Sequence, residues 1–195
     1  MKLFNFLRPK TNTKEVHISK ESESVHFEGT KYLIDKIEFN STMELIDVLN
    51  LIKDNESFCG IELNRPATDD EIDLFEASKE IKLPKDFKTI YKFSNGFETD
   101  EDLFRLIPLN EIIDNGKDDY CINDNSFHFT EYMIYSDMWT VEINPNDIEN
   151  YRIYNKAENI VYLTNSLTEF LCVFLNKGIY EGLYEWREKK QIVSS

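Results

Sequence analysis

Residues 83–97, LPKDFKTIYKFSNGF, carry the signals of a complete structural unit. Pro84 holds Leu83 in an extended conformation and itself suits the first turn of a helix. Three apolar side chains then share one face of that helix: Phe87, Ile90 and Tyr91. Asn95 and Gly96 supply the left-handed residue that ends it. The stretch therefore predicts a helix entered through a Leu-Pro corner, and nothing in it is typical of catalysis.

Three Ser/Thr-x-x-Glu boxes predict the starts of further helices. In such a box the hydroxyl caps the backbone amide of the Glu, and the Glu side chain returns to the cap residue. Each box precedes an apolar stripe, and the three are Ser41 with Glu44, Thr68 with Glu71, and Ser166 with Glu169. They predict helices after residue 41, over residues 69–80 ahead of the Leu-Pro corner, and over residues 166–176. A last helix is predicted at residues 179–190, where Ile179, Leu183 and Trp186 share one side.

Residues 127–144 change to the period-two alternation of β-strands. Trp139, Val141 and Ile143 alternate with polar residues, which indicates antiparallel strands with one buried face. Strands are predicted at residues 103–109, 127–135, 138–144, 151–155 and 159–163, with residues 135–138 as a hairpin turn. Helices, then strands, then helices indicate an α+β fold: an antiparallel-rich mixed sheet with N-terminal and C-terminal helices packed against it.

The chain has 195 residues, of which 41% are hydrophobic, enough for the core of one domain. Residues 8–30 are polar and rich in Ser, Lys and Glu, which is typical of a mobile segment. We therefore predict a flexible or loosely packed arm over residues 1–30, of which residues 8–30 are dispensable for folding, and one domain over residues 31–195. No apolar run approaches the roughly 20 residues of a membrane span, and no signal-peptide core is present, so a cytoplasmic protein is expected.

Motifs for catalysis or cofactor binding are missing from the sequence. It contains neither a phosphate-loop pattern nor G-x-G-x-x-G, and its histidines are far apart, so no cofactor or metal is expected. Three cysteines without a C-x-x-C pair argue against a disulfide framework and a zinc ribbon. One alternative stays open: a nucleophilic pair in which Cys121 or Cys172 approaches His128 in the fold. No local motif supports that pair, and we predict a protein that is not an enzyme.

A net charge of −15 repels nucleic-acid phosphates and anionic membranes and attracts cationic proteins. Acidic residues concentrate in two predicted loops, at 98–102 and 117–119. A solvated loop is the plainer explanation of such acidity, and taken alone it is favoured. If the loops form a recognition surface, the candidate partner-binding residues are Glu98, Asp100, Glu101, Asp102, Asp118, Asp119 and, as an aromatic anchor on the outer face of its strand, Trp139.

Residues 60–97 resemble the N-terminal motif of the SUKH superfamily, the group named after the yeast cell-wall-assembly regulators. Six residues with an expected structural role carry the resemblance: Pro66, Glu71, Leu83, Pro84, Asn95 and Gly96. Residues 105–112 resemble a later strand and turn of the family, and residues 164–175, with Phe170 and Leu171, resemble its C-terminal helix. The similarity extends over about residues 45–188. It departs from the family at the central hairpin, where an expected glycine near Asp137 is missing.

This resemblance implies a binding fold without enzymatic activity. Bacterial members of the superfamily are mostly regarded as immunity proteins, which bind and block a cognate toxin, often a nuclease or a nucleic-acid deaminase. The implied function is neutralisation of a basic, nuclease-type toxin, since an acidic blocker gains association rate against a basic target. Because fold does not determine function, two alternatives stay open. One is an intracellular regulatory or scaffold protein with no toxin partner, and the other is an enzyme.

Overall fold

The computed structural model of the chain describes residues 38–99, 103–115 and 121–194, and the predicted arm at residues 1–30 lies outside them. Seven strands are found in these ranges: β1 Ile61–Leu63, β2 Phe97–Thr99, β3 Phe104–Leu106, β4 Ser126–Tyr132, β5 Asp137–Asn144, β6 Asp147–Lys156 and β7 Ile160–Thr164. They form one sheet in chain order, and every neighbouring pair is antiparallel. The last four strands follow one another through short connections, which antiparallel neighbours allow.

Helices precede the sheet, interrupt it and follow it. Within the same ranges they are α1 Leu45–Asp54, α2 Glu56–Cys59, α3 Asp69–Lys79, α4 Lys85–Phe93, α5 Leu109–Asp114, α6 Leu167–Lys177 and α7 Glu185–Ser194. A π-helical stretch, Gly178–Tyr184, joins α6 to α7. The α+β prediction is confirmed, and the sheet is antiparallel throughout the described part of the chain.

A buried carboxylate holds the Leu-Pro corner between α3 and α4. Glu76 of α3 is 4% exposed, and its carboxylate accepts the N–H of Leu83 at 2.9 Å. Lys82 and Lys88 pair with the same carboxylate at 2.6 and 2.8 Å. Burial acts to raise the pKa of Glu76, but these bonds to the charged form prevail and lower that pKa below its ordinary value. The conformation of the corner therefore depends on a polar side chain within the apolar layer.

Leu83→Ala is expected to lower the free energy of unfolding by about 2–5 kcal/mol, the range for truncating a buried leucine. Leu83 is fully buried, so the change removes apolar contacts and leaves a cavity at the corner. Chemical denaturation measures the difference. The matched control is Leu74→Ala on α3, where the side chain is 59% exposed and a change within about 0.5 kcal/mol is expected. A Leu83→Ala variant as stable as the control would contradict this placement.

Asn95 and Gly96 join the helical half of the chain to the sheet. Gly96 has a left-handed φ of 94°, and an added Cβ would lie 2.7 Å from the carbonyl oxygen of Leu106 on β3. The position therefore requires glycine for its backbone conformation and for the close approach of β3. Asn95 Oδ1 accepts the N–H of Leu109 at 3.0 Å and satisfies a free amide in the first turn of α5.

Two of the three predicted helix caps are present. Thr68 and Glu71 form the complete capping box at the start of α3. Ser166 accepts the N–H of Glu169 at 3.2 Å, but the Glu169 carboxylate accepts the hydroxyl of Thr164 instead of completing the box. The start of α6 is thus capped by the serine and tied to the end of β7 by the glutamate.

The predicted cap at Ser41 is wrong. Helix α1 begins at Leu45, and its N-cap residue Glu44 makes no side-chain capping bond. The reason is a competing turn: Asn40 Oδ1 accepts both the N–H and the hydroxyl of Thr42 at 3.0 Å. Asn side chains favour such bonds to the backbone two residues on.

The core is aromatic and lies against the sheet. Phe87 of α4 makes edge-to-face contacts with Phe127 and Phe129 of β4 and with Tyr151 of β6. The prediction of one exposed face on β4 is wrong, because all residues from 126 to 131 are buried. Helix α5 packs against β4, and a bulge between His128 and Thr130 shifts the strand register.

Candidate functional site

The structure places two of the predicted partner-binding residues in opposite environments. Glu98 is exposed on β2 and is the first residue of the acidic segment 98–102. Asp100, Glu101 and Asp102 lie outside the described residues, as do Asp118 and Asp119. Trp139 is 0% exposed. Of the predicted set, Glu98 alone is described as an exposed side chain.

The interpretation of Trp139 as an aromatic anchor for a partner is wrong. Its indole stacks on Tyr184 with ring centroids 6.1 Å apart, and it makes tilted or edge contacts with Phe104 and Phe170. Alternation along β5 predicts that Trp139 shares a face with Val141 and Ile143, but it does not say that helices cover that face. The covering helix, α6, follows two strands later in the chain.

The connection between β4 and β5 is the most exposed apolar feature near the acidic segment. We call residues 133–136 the hairpin tip. Met133, Ile134 and Tyr135 have consecutive left-handed φ values of 52°, 54° and 61°, which cost roughly 1–2 kcal/mol each for residues other than glycine. Ile134 is 82% exposed, and Met133 is also exposed. Such strain persists where surrounding contacts impose it, and it concentrates at functional sites.

Hydrogen bonds from three directions impose that conformation. The N–H of Met133 donates to the carbonyl of Leu103 at 3.0 Å, and the N–H of Ser136 donates to the carbonyl of Tyr132 at 3.1 Å. The N–H of Tyr135 donates to the carboxylate of Glu131. Two backbone carbonyls and one carboxylate therefore hold a tip whose central residue is almost fully exposed.

A partly buried ionic network lies at the base of the tip. Arg105 of β3 bonds Glu131 of β4 through Nε and Glu111 of α5 at 2.9 Å through Nη1. Burial acts to lower the pKa of Arg105, but the two carboxylates prevail and raise it. The hydroxyl of Tyr135 also donates to Glu111. One guanidinium thus faces two carboxylates, which leaves an excess negative charge and fixes the base of the tip.

Two further exposed apolar side chains adjoin the tip. Leu103 is exposed, and its carbonyl bonds the tip directly. Tyr180, from the π-helical stretch, is exposed, and its hydroxyl lies 2.7 Å from that of Tyr132. We call this set the hairpin-tip surface, which consists of Leu103, Met133, Ile134 and Tyr180. Contiguous exposed apolar groups of this kind typically mark interaction sites.

Negative charge borders the hairpin-tip surface. Glu98 is the direct cross-strand partner of Glu62 on β1, and both are exposed. Like charges placed directly opposite on a sheet destabilise it. On its other side Glu98 is opposite Arg105, whose guanidinium already bonds two carboxylates. A cationic side chain from another molecule would therefore relieve repulsion that remains among the described residues.

Ile134→Asn is expected to stabilise the free protein and to weaken partner binding. Asn tolerates the left-handed conformation better than a β-branched residue, and little packing is lost at an exposed site, so the free energy of unfolding rises by about 1 kcal/mol. Thermal unfolding measures this rise. A lower midpoint than that of the wild type would show that Ile134 packs against something and that the tip is not strained.

The structure also brings together the Cys–His pair that the sequence left as an alternative. Cys121 Sγ lies 3.7 Å from Nε2 of His128, and Nδ1 of His128 lies 2.6 Å from Oγ1 of Thr140. Cys172 is buried in α6, on a different element. In the three described ranges, no group of His, Cys, Asp and Glu side chains is placed to hold a metal ion.

Comparison with known families gives one match. The model of the SMI1/KNR4 family (SUKH-1) matches residues 66–172, from just before α3 into α6, which is more than half of the chain. No curated protein matches the chain. Within the described residues, no helix combines the length and apolar character needed to cross a membrane.

Proposed function

We propose, from the premise that this chain belongs to the SMI1/KNR4 family (SUKH-1), that its hairpin-tip surface and the acidic residues beside it bind and neutralise a basic protein toxin. Family membership makes the chain a protein-interaction module. We propose in addition that the partner is a toxin and that the hairpin-tip surface binds it. The observation that carries it is the exposed, strained tip at Ile134, together with the exposed carboxylate pair of Glu62 and Glu98 on the same sheet.

Charge supports a cationic partner. The net charge of −15 gives the whole chain an attractive field for basic proteins. Enzymes that act on nucleic acid bind phosphates through Lys and Arg side chains, so their substrate clefts present the complementary charge. Electrostatic complementarity of this kind raises association rates towards about 10⁸–10⁹ M⁻¹s⁻¹ at low salt.

Shape supports occlusion of a cleft. The hairpin tip projects Met133 and Ile134 from the end of two strands, and Tyr180 supplies an exposed aromatic ring next to them. Aromatic and apolar anchors at the centre of an interface, surrounded by charged groups, are the usual arrangement of binding hot spots. In the proposed complex the tip enters the substrate cleft of the toxin while the surrounding acids pair with its cationic rim.

The test captures the basic protein that binds the chain and then measures protection in cells that express that protein's toxic domain. Wild type is expected to restore growth, and Ile134→Asp is expected to lose protection, because a carboxylate replaces the apolar anchor. Leu74→Asp is the matched control, since it adds the same charge at an exposed leucine on α3 and is expected to protect fully. Equal protection by both variants would remove the hairpin tip from the binding surface.

A scaffold role without a toxin is the second candidate, favoured by the same exposed tip because it does not require a toxic partner. The two roles differ in the captured protein. A scaffold binds a housekeeping protein whose activity continues in the complex, whereas an immunity protein abolishes the activity of its target. Enzymatic assay of the captured partner with and without the chain therefore separates them.

A further inference from the structure

A cavity of about 580 Å³ opens between the C-terminal end of α3, helix α5 and strand β4. One wall is apolar and includes Ile81, Ile107 and Phe127. The other carries Cys121 and His128. This volume is within the range of small-molecule sites, which combine apolar walls with a few polar groups. The cavity differs from the proposed partner surface, because none of the four residues of the hairpin-tip surface lines it.

The thiol of Cys121 is positioned by neighbouring elements. The hydroxyl of Tyr154 on β6 accepts the N–H of Ile122 at 3.1 Å, which fixes the backbone next to the thiol. His128 is buried, and its two ring nitrogens face Cys121 and Thr140 at 3.7 and 2.6 Å. An imidazole oriented by a hydroxyl and directed at a thiol is the arrangement that activates cysteine nucleophiles.

Other charged groups face the same thiol. Lys79 of α3 lines the cavity, and its interaction with Cys121 acts to raise the lysine pKa, although burial lowers that pKa overall. Positive charge near a thiol favours the thiolate. Among the described residues, Glu80, Asp124 and Tyr135 also line the cavity, and Tyr154 interacts with the thiol.

The other two cysteines lack this environment. Cys59 and Cys172 are both buried. Burial raises the pKa of Cys59 to about 12 and that of Cys172 to about 11, and a nearby glutamate adds to each rise. Thiols of this kind are inert at neutral pH. They therefore serve as internal controls for the reactivity of Cys121.

We propose that Cys121 is a site of reversible S-thiolation by small disulfides that fit the cavity. His128 accepts the thiol proton, and the thiolate attacks one sulfur of the disulfide. A bond forms between Sγ and that sulfur as the original S–S bond breaks, and the other half leaves as a thiolate that takes the proton from His128. Cys121 is oxidised and half of the disulfide is reduced to a thiol, so the exchange needs no further oxidant.

The experiment incubates the full chain with oxidised glutathione and measures intact mass, followed by peptide mapping. One glutathione is expected on Cys121, with Cys59 and Cys172 unmodified, and dithiothreitol is expected to remove it. Cys121→Ser is expected to give no adduct, and Cys172→Ser is expected to react like wild type. Modification of all three thiols at similar rates, or of Cys121 no faster than a free cysteine, would overturn the proposal.

The role of His128 needs a readout that a structural role does not move. His128→Gln is expected to slow the exchange about a hundredfold at neutral pH, the lower end of the 10²–10⁴ range for general acid–base groups. It is also expected to shift the pH–rate profile to higher pH, with an unchanged circular dichroism spectrum. A variant that is slower at every pH by the same factor would show that His128 only shapes the cavity, and would overturn its assignment as the proton acceptor.

Discussion

Trp139→Ala is expected to lower the free energy of unfolding by about 3–5 kcal/mol, the range for truncating a buried large aromatic. The indole is fully buried and contacts Phe104, Phe170 and Tyr184, which join the sheet to the C-terminal helices. A loss of this size is a large fraction of the stability of a typical domain. Chemical denaturation followed by circular dichroism measures it.

Trp139→Phe is the matched control. In the part of the chain that the structure describes, the indole N–H has no hydrogen-bond partner, so phenylalanine removes an unsatisfied donor and keeps most of the apolar contact. A cost of about 1 kcal/mol is therefore expected. A stable Trp139→Ala variant that dissociated faster from its partner would restore Trp139 as a surface anchor and contradict its place in the core.

Neutralising Asp100, Glu101 and Asp102 together is expected to slow association with the basic partner about tenfold at low salt, within the 10–10³ range of electrostatic steering. In the sequence these acids directly follow β2, on which Glu98 is exposed. Dissociation changes less, because charges at an interface rim act mainly on association. Stopped-flow association at increasing salt measures the effect, which is expected to shrink as the Debye length falls from about 30 Å to about 8 Å.

The control triple keeps the same change in net charge. It replaces three exposed aspartates by asparagine. Asp47 lies in α1, Asp54 is the last residue of α1, and Asp73 lies in α3. This variant is expected to associate more slowly than wild type by a factor of two or less. If both triples slow association equally, overall charge steers the partner, and the segment at 98–102 has no special place in the encounter.

Local contacts explain which parts of the fold the sequence predicts. Thr68 and Glu71 bond within one helical turn, so their spacing is enough to recognise the start of α3. Gly96 combines a left-handed φ with a close approach of β3. An Asn-Gly pair after an apolar helix predicts the left-handed φ from sequence alone. Glu71 and Gly96 both belong to the motif that resembles the family. Their roles are structural, which explains why the resemblance concerns the fold and not catalytic chemistry.

Long-range packing explains what the sequence does not predict. Alternation groups Trp139 with Val141 and Ile143, but whether helices cover that face depends on residues such as Phe170 on α6. Strands β1 and β2 have three residues each, too few for a periodicity to be visible. They are strands because the loop at Gly96 brings them into register.

The position of the hairpin turn also depends on contacts that the local sequence does not reveal. The sequence pattern predicts the turn at residues 135–138, whereas β4 ends at Tyr132 and β5 begins at Asp137. The sequence does contain one indication of an exposed tip: three apolar or aromatic residues lie between the two strands, Met133, Ile134 and Tyr135. Their left-handed conformation is imposed by Glu131 and Leu103, and contacts of this kind cannot be derived from turn propensities.

Amide hydrogen exchange of the chain, alone and with its purified basic partner, tests the central claim most directly. The proposed surface predicts slower exchange in two segments upon binding, residues 98–104 and residues 131–137, and the same protection is expected to be lost in Ile134→Asp. Unchanged exchange in residues 131–137, with protection confined to segments such as α1 or β7, would contradict the proposed surface.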